Sequence, residues 1–310
     1  MTAAHTEGMD GATSSQLLGF PPDARVLIVN CDDLGMHESV NVAVIDAIEE
    51  GIASSCSVMV PCPGASQALR MLRARPGVPF GIHLTLVRDA DHLRWGPLSA
   101  KGTVASLLDE RGELFTADRR EELLARARPE EVEREFRAQI EAVADAGLTP
   151  THLDWHCLAD GGREDVFELT VALAGEYGLA VRVWLDGGRR TARGRGLPVT
   201  DHDFLDSFAL DIDGKAARYA ELLRALPPGL SEWAVHPGLD DARSRAAEPG
   251  GGWRVRHGDH AFLTSARARE LLAEEGIVVI DYRPLRRIWA GGDRRDAGAA
   301  DVTPSDSWGR

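Results

Sequence analysis

Short, continuous apolar runs alternate along most of the chain with stretches whose apolar residues recur every three or four positions. The segment Arg25 to Val29 is such a run, as expected of a strand buried on both faces. The stretch after it carries Val40, Val44, Ala47 and Ile48 on one helical face and stops at Gly51. Ser57 to Val60 reads as a second strand closed by Pro61 and Pro63, residues 65–75 as a helix, and Phe80 to Leu84 as a third strand. Residues 87–128 then break the alternation with charged, glycine-containing sequence, the profile of a lid or binding loop. A long helix is predicted from Pro129 to Ala146, with Val132, Phe136, Ile140 and Val143 on one stripe and Glu130 and Glu131 at its positive end. Further strands are predicted at Thr151 to His156, Ala180 to Leu185, Phe204 to Leu210, Glu232 to Val235 and Ile277 to Ile280. Helices over 165–177, 215–226 and 265–275 fall between them.

Strands that alternate with helices pair in parallel through right-handed crossovers. Seven or eight such units predict an α/β fold, a distorted (β/α) barrel of mostly parallel strands. An open doubly wound sheet is the alternative. Residues 1–20 and 291–310 are rich in small and polar types and are expected to be flexible segments flanking one catalytic domain over 21–290.

Composition narrows the class. The chain has 310 residues, 44% hydrophobic and 27% charged, which suits a soluble globular protein. A formal net charge of −14 opposes binding to phosphate backbones, so no nucleic-acid partner is expected. No apolar run approaches the ~20 residues of a membrane span, and no basic-then-apolar leader is visible, so a cytoplasmic location is expected. Cys31, Cys56, Cys62 and Cys157 form no CxxC pair and are expected to stay reduced.

Polar chemistry gathers where the strands end. Asn30-Cys31-Asp32-Asp33 ends the first strand, and His83 lies near the end of the third. His152, Asp154 and His156 alternate along the fourth, Arg182 lies in the fifth, and His236 ends the seventh before Pro237-Gly238. In a parallel barrel these ends share one face, so residues distant in sequence converge. One carboxylate and two imidazoles make an open three-ligand site of the hydrolytic zinc type. A second, adjacent aspartate is then free to take a proton from water. Amide cleavage also needs an acid for the departing amine, and His236 is the natural donor. Arg182 offers an orienting or oxyanion-binding cation. Taken singly, each feature has a plainer reading: paired aspartates cap helices, and a strand histidine is often a hydrogen-bonded core residue.

The ordered motifs Asn30-Cys31-Asp32-Asp33-Leu34-Gly35, Gly81-Ile82-His83-Leu84-Thr85-Leu86, Pro150-Thr151-His152-Leu153-Asp154-Trp155-His156 and His236-Pro237-Gly238 resemble those of the YdjC/ChbG/HpnK-type carbohydrate deacetylases. The resemblance runs from residue 26 to about 283. It implies a distorted barrel, one divalent metal ion, and hydrolysis of an N-acetyl group on an amino sugar or a related small amide. By position it implies that Asp33, His83 and His156 hold the metal, that Asp32 is the general base and His236 the general acid. Asp154, with His152, would orient a histidine ligand. The ligand set suits Zn²⁺ best, and Mg²⁺ is the other candidate. Two departures stand out. Cys31 replaces the family's alanine, and Cys157-Leu158-Ala159-Asp160 replaces a stretch with further histidines. Cys157 as an additional ligand would close the open site. Trp95, Trp155 and Trp253 are candidate platforms for a sugar, each equally suited to packing. Two rival functions remain at this stage: a metal-dependent isomerase or phosphoesterase on a similar barrel, and a non-catalytic metal- or ligand-binding relative. The partner expected is a small N-acylated molecule, with a homo-oligomer possible.

Overall fold

The computed structural model of the chain describes residues 12–292. Its strands are β1 (Arg25–Leu34), β2 (Ser55–Val58), β3 (Phe80–Leu84), β4 (Val87–Arg88), β5 (Phe115–Thr116), β6 (His152–Trp155), β7 (Ala180–Val181), β8 (Leu205–Asp206), β9 (Gly229–Val235) and β10 (Val278–Val279). Its α-helices are α1 (Ser14–Leu17), α2 (Glu38–Glu49), α3 (Ala65–Arg73), α4 (Arg120–Arg126), α5 (Pro129–Asp145), α6 (Glu164–Tyr177), α7 (Asp186–Gly194), α8 (Lys215–Arg224), α9 (Ala242–Ala247), α10 (Gly252–Leu263), α11 (Ala266–Glu274) and α12 (Arg283–Trp289).

The main sheet runs β7-β6-β3-β2-β1-β9-β8, with every pair parallel. β10 pairs the start of β1 at Val26 and Leu27, on the edge that β2 takes over from Asn30 onward. Val26 to Val29 in the middle of the sheet are wholly buried, which is why this run reads as continuous hydrophobic sequence. The sheet is strongly curled. β7 and β1 stand four strand spacings apart, about 19 Å in a flat sheet. Yet Arg182, just past β7, bonds the Asp32 carboxylate of β1 at 2.8 Å. Edge strands β7 and β8 share no ladder among the described residues, and the stacked rings of Trp184 and Phe204, 3.8 Å apart, span the break. The result is a half-closed, distorted α/β barrel, as the strand–helix alternation predicts.

Several boundaries differ from the sequence expectation. The strand predicted over Phe204 to Leu210 is two residues long, because Ser207–Ala209 turns into a 3-10 helix. The strands predicted to reach Leu185 and Ile280 stop at Val181 and Val279. Residues 240–259 hold α9 and most of α10. The loose segment expected over residues 1–20 lies outside the described residues as far as 11. Beyond that it is anchored: Thr13 caps α1, the Ser14 and Ser15 amides donate to Asp201, and Leu18 is buried. Of the tail expected from 291, only 291–292 are described. The excursion over 87–128 is held by Arg88, fully buried, which donates to the Leu114 carbonyl and pairs with Asp109. No helix among the described residues is long and apolar enough to cross a membrane.

Candidate active site

The site begins with a break in the pleat of β1. Successive strand residues face opposite sides, so Asp32 and Asp33 cannot both point inward from a regular strand. Between Cys31 and Leu34, β1 spends three residues where β2 spends two, and Asp33 sits in the left-handed region at φ 66°. This bulge carries the extra residue and turns both carboxylates to the strand ends. Cys31 points into the apolar core. Gly35 follows at φ 100°, where a Cβ would meet the Met59 carbonyl at 2.9 Å.

Asp33, His83 and His156 offer ligand atoms that all lie within 4.8 Å of one another. Asp33 Oδ1 is 3.4 Å from His83 Nε2 and 3.3 Å from His156 Nδ1. It is buried and has no hydrogen-bond partner. An ionised oxygen left unpaired between two imidazole nitrogens is a costly arrangement by itself. It is the donor set of an open three-ligand metal site, so the residues fit such an ion. The surroundings hold two of the three candidate ligands in place. His83 Nδ1 is 2.9 Å from Asp154 Oδ1, and Arg256 pairs with Asp33 Oδ2 at 2.8 Å. Burial works to raise the Asp33 carboxyl, but Arg256 and the two histidines outweigh it and hold it well below the usual range.

Beneath lies a second polar layer. The Arg182 guanidinium grips Asp32 with two bonds of 2.8 Å, meets Asp154 Oδ2 at 3.0 Å and donates through Nε to Glu232. It is buried and does not line the pocket. Burial favours the neutral Asp32, yet Arg182 and His83 overcome it and keep the carboxyl below its ordinary value. Asn30 Nδ2 donates to Asp32 Oδ1. Tyr282 closes the layer by donating to Glu232. His152 stacks on Tyr282 at 3.7 Å, with Nδ1 beside Thr151 Oγ1 and Nε2 3.7 Å from Asp154, so it lies below the three ligand residues.

Across the pocket, His236 is oriented by a relay. Its Nδ1 is 2.8 Å from Ser207 Oγ, whose hydroxyl donates to Asp259 Oδ2. The His236 amide donates to the same carboxylate oxygen, Tyr219 donates to the other, and Lys215 Nζ is 2.6 Å from it. This leaves Nε2 as the His236 nitrogen available to the pocket.

The pocket encloses about 490 Å³, room for a small molecule. Asp32, Asp33, His83, His156 and His236 line it. Of the three tryptophans considered as platforms, Trp155 lines it and donates its indole N–H to Thr170. Trp95 is buried edge-on to His156, and Trp253 packs under Arg245, so neither reaches the pocket. Its wall includes residues that sequence reasoning missed: Asp89 and Arg120 from the 87–128 excursion, Trp184, Phe208 and Arg256. The charged ones sit in loops or helices, where polar residues carry no signal that separates a site from a solvated face.

The profile of the YdjC-like protein family matches residues 26–274. A carbohydrate deacetylase of Geobacillus stearothermophilus is 32% identical over 266 residues, covering 85% of this chain and 99% of the relative. A chitooligosaccharide deacetylase of Serratia marcescens is 28% identical over 267 residues, covering 84% and 99%. Among solved structures, one from Enterococcus faecalis that carries the name cellobiose-phosphate cleavage protein superposes with a TM-score of 0.71 at 24% identity, covering 84% of this chain and 99% of that one. With the family profile spanning most of its length and the ordered motifs converging in one pocket, this chain belongs to the YdjC-like family.

Proposed function

We propose that the chain is a metal-dependent deacetylase that hydrolyses the N-acetyl amide of an amino sugar or a related small amide, with residues 21–290 as one catalytic domain. The observation that carries the reading is the buried, unpartnered Asp33 Oδ1 between His83 and His156, flanked by Asp32 and His236. The deacetylases among its relatives support the same reaction class.

Asp33, His83 and His156 hold the divalent ion, Zn²⁺ by preference and Mg²⁺ as the other candidate. When bound, such an ion polarises the amide carbonyl and makes water acidic enough to attack at neutral pH. Asp32, kept ionised by Arg182, takes one proton from the attacking water. The new C–O bond forms at the carbonyl carbon. The C–N bond breaks as His236, which gives its Nδ1 proton to the Ser207 bond and so acts with a second proton on Nε2, passes that Nε2 proton to the departing nitrogen. Acetate and a free amine are released, and the proton held by Asp32 leaves to solvent as His236 regains one from it. Ser207 and Asp259 hold the imidazole in the orientation this requires.

The test is an acetate-release screen over N-acetylated mono- and oligosaccharides, with the products weighed by mass spectrometry. Free acetate together with loss of one acetyl mass supports the reading. An isomerised product of unchanged mass, or turnover only of phosphate esters, would replace it.

A further inference from the structure

We propose that Asp89, His156 and Cys157 form a second cation site, alternative to the Asp33–His83–His156 site and selective for thiophilic ions. The proposal rests on the metal-site reading above. Asp89 Oδ1 lies 2.6 Å from His156 Nε2, and Cys157 Sγ lies 3.5 Å from the same nitrogen and 3.9 Å from Asp89 Oδ1. The three ligand atoms fall within 4.8 Å of one another. Adjacent residues in extended backbone point apart, but Cys157 sits in the left-handed region at φ 57°, and its thiol returns beside the ring of its predecessor. Cys157 is exposed and lines the pocket with Asp89, so an ion reaches this cluster from solvent.

The two sites share one ring through its opposite nitrogens. His156 turns Nδ1 to Asp33 Oδ1 at 3.3 Å and Nε2 to Asp89 Oδ1 at 2.6 Å. A neutral imidazole offers one bare nitrogen and keeps a proton on the other. When the inner site is filled through Nδ1, the Nε2 proton is donated to Asp89. When the outer site is filled through Nε2, the Nδ1 proton faces Asp33. Filling both would require the ring to lose its last proton, so the sites exclude each other.

The donor atoms also differ in kind. The inner set is one carboxylate and two imidazoles. The outer set replaces an imidazole with sulfur, which favours soft ions, and binding there releases the Cys157 proton to solvent. A thiophilic ion in the outer site therefore withdraws His156 from the inner one and blocks hydrolysis.

The experiment titrates the metal-free, full-length chain with Cd²⁺ at fixed pH, following thiolate-to-metal absorption in the ultraviolet and bound cation per chain. The band is expected to grow to completion at one equivalent. Cys157→Ser is expected to remove the band while still binding one Cd²⁺, and Asp89→Asn to raise the Cd²⁺ concentration that the band requires. Absence of the band in the parent protein, or its survival in Cys157→Ser, overturns the site. Two equivalents bound with the full band overturns the exclusion. Failure of the inner site shows separately, as Cys157→Ser binding no Zn²⁺; the outer site is then judged on the band alone.

Discussion

Two neighbouring aspartates serve one pocket because the backbone between them leaves the strand's pleat. Asp33, at φ 66°, turns toward His83 and His156, while Asp32 faces Arg182. The proposed division of labour follows from these partners, since one carboxylate has an unpartnered oxygen between imidazoles and the other is gripped by a guanidinium. Asp32→Asn keeps the shape and removes the proposed proton acceptor. It is expected to lower kcat by roughly 10²–10⁴-fold while the metal content of the protein stays unchanged. Steady-state kinetics beside elemental analysis checks this, and an unchanged kcat would remove Asp32 from the role of base. The five pocket residues Asp32, Asp33, His83, His156 and His236 were legible in the sequence because they interrupt or follow otherwise apolar strands. Asp89, Ser207, Arg256 and Asp259 were not, because each lies in a turn, a helix or a charged excursion and gains its meaning only from a partner far along the chain.

At the scale of elements, the long helices and the central strands follow directly from periodicity, and short elements do not. A two-residue strand such as β7 or β8 has no period to detect. Helix α7 has the sequence Asp-Gly-Gly-Arg-Arg-Thr-Ala-Arg-Gly, with no apolar stripe, and is held by tertiary contacts such as the buried Arg189 to Asp203. The packing of β3 against β6 sets a sharper constraint. A Cβ added at Gly81 would meet the His152 ring at 2.5 Å, and that ring is wholly buried and stacked on Tyr282. The ring has nowhere to move. Gly81→Ala is therefore expected to destabilise the protein by about 1–3 kcal/mol, as overpacked cores do. Chemical denaturation measures the difference, and a variant as stable as the parent would show that β3 and β6 can separate.

At the scale of the whole molecule, the curled sheet brings ionisable groups from β1, β3 and β6, with Arg182 next to β7, into one buried cluster, and the pH dependence of folding follows. In the metal-free protein, burial opposes a charged His83, but the carboxylates of Asp154 and Asp32 outweigh it and raise the imidazole to about 10. A group raised on folding contributes its full stability below its unfolded value, about 6.5, and loses it as pH climbs through the folded value. Asp32, Asp33 and Asp154 are lowered despite burial, by Arg182, Arg256 and the histidines. Their contribution is present above the unfolded value of about 4 and is lost as pH falls through the lower folded values. As far as His83 and these three aspartates are concerned, the metal-free chain is thus expected to be most stable between about pH 4 and 6.5, and to lose stability from there toward pH 10. Thermal unfolding at pH 6 and pH 9.5 checks the sign, and a rise in Tm across that interval would contradict it.

The cluster carries its chemistry only if Asp33, His83 and His156 share a cation that the reaction needs. Acetate release from an N-acetylated chitooligosaccharide, assayed on chelator-stripped protein with single metals added back, asks this directly. Activity should vanish on stripping and return as one equivalent of Zn²⁺ is restored to the parent chain, but not to His83→Ala. Full acetate release after exhaustive chelation would contradict it.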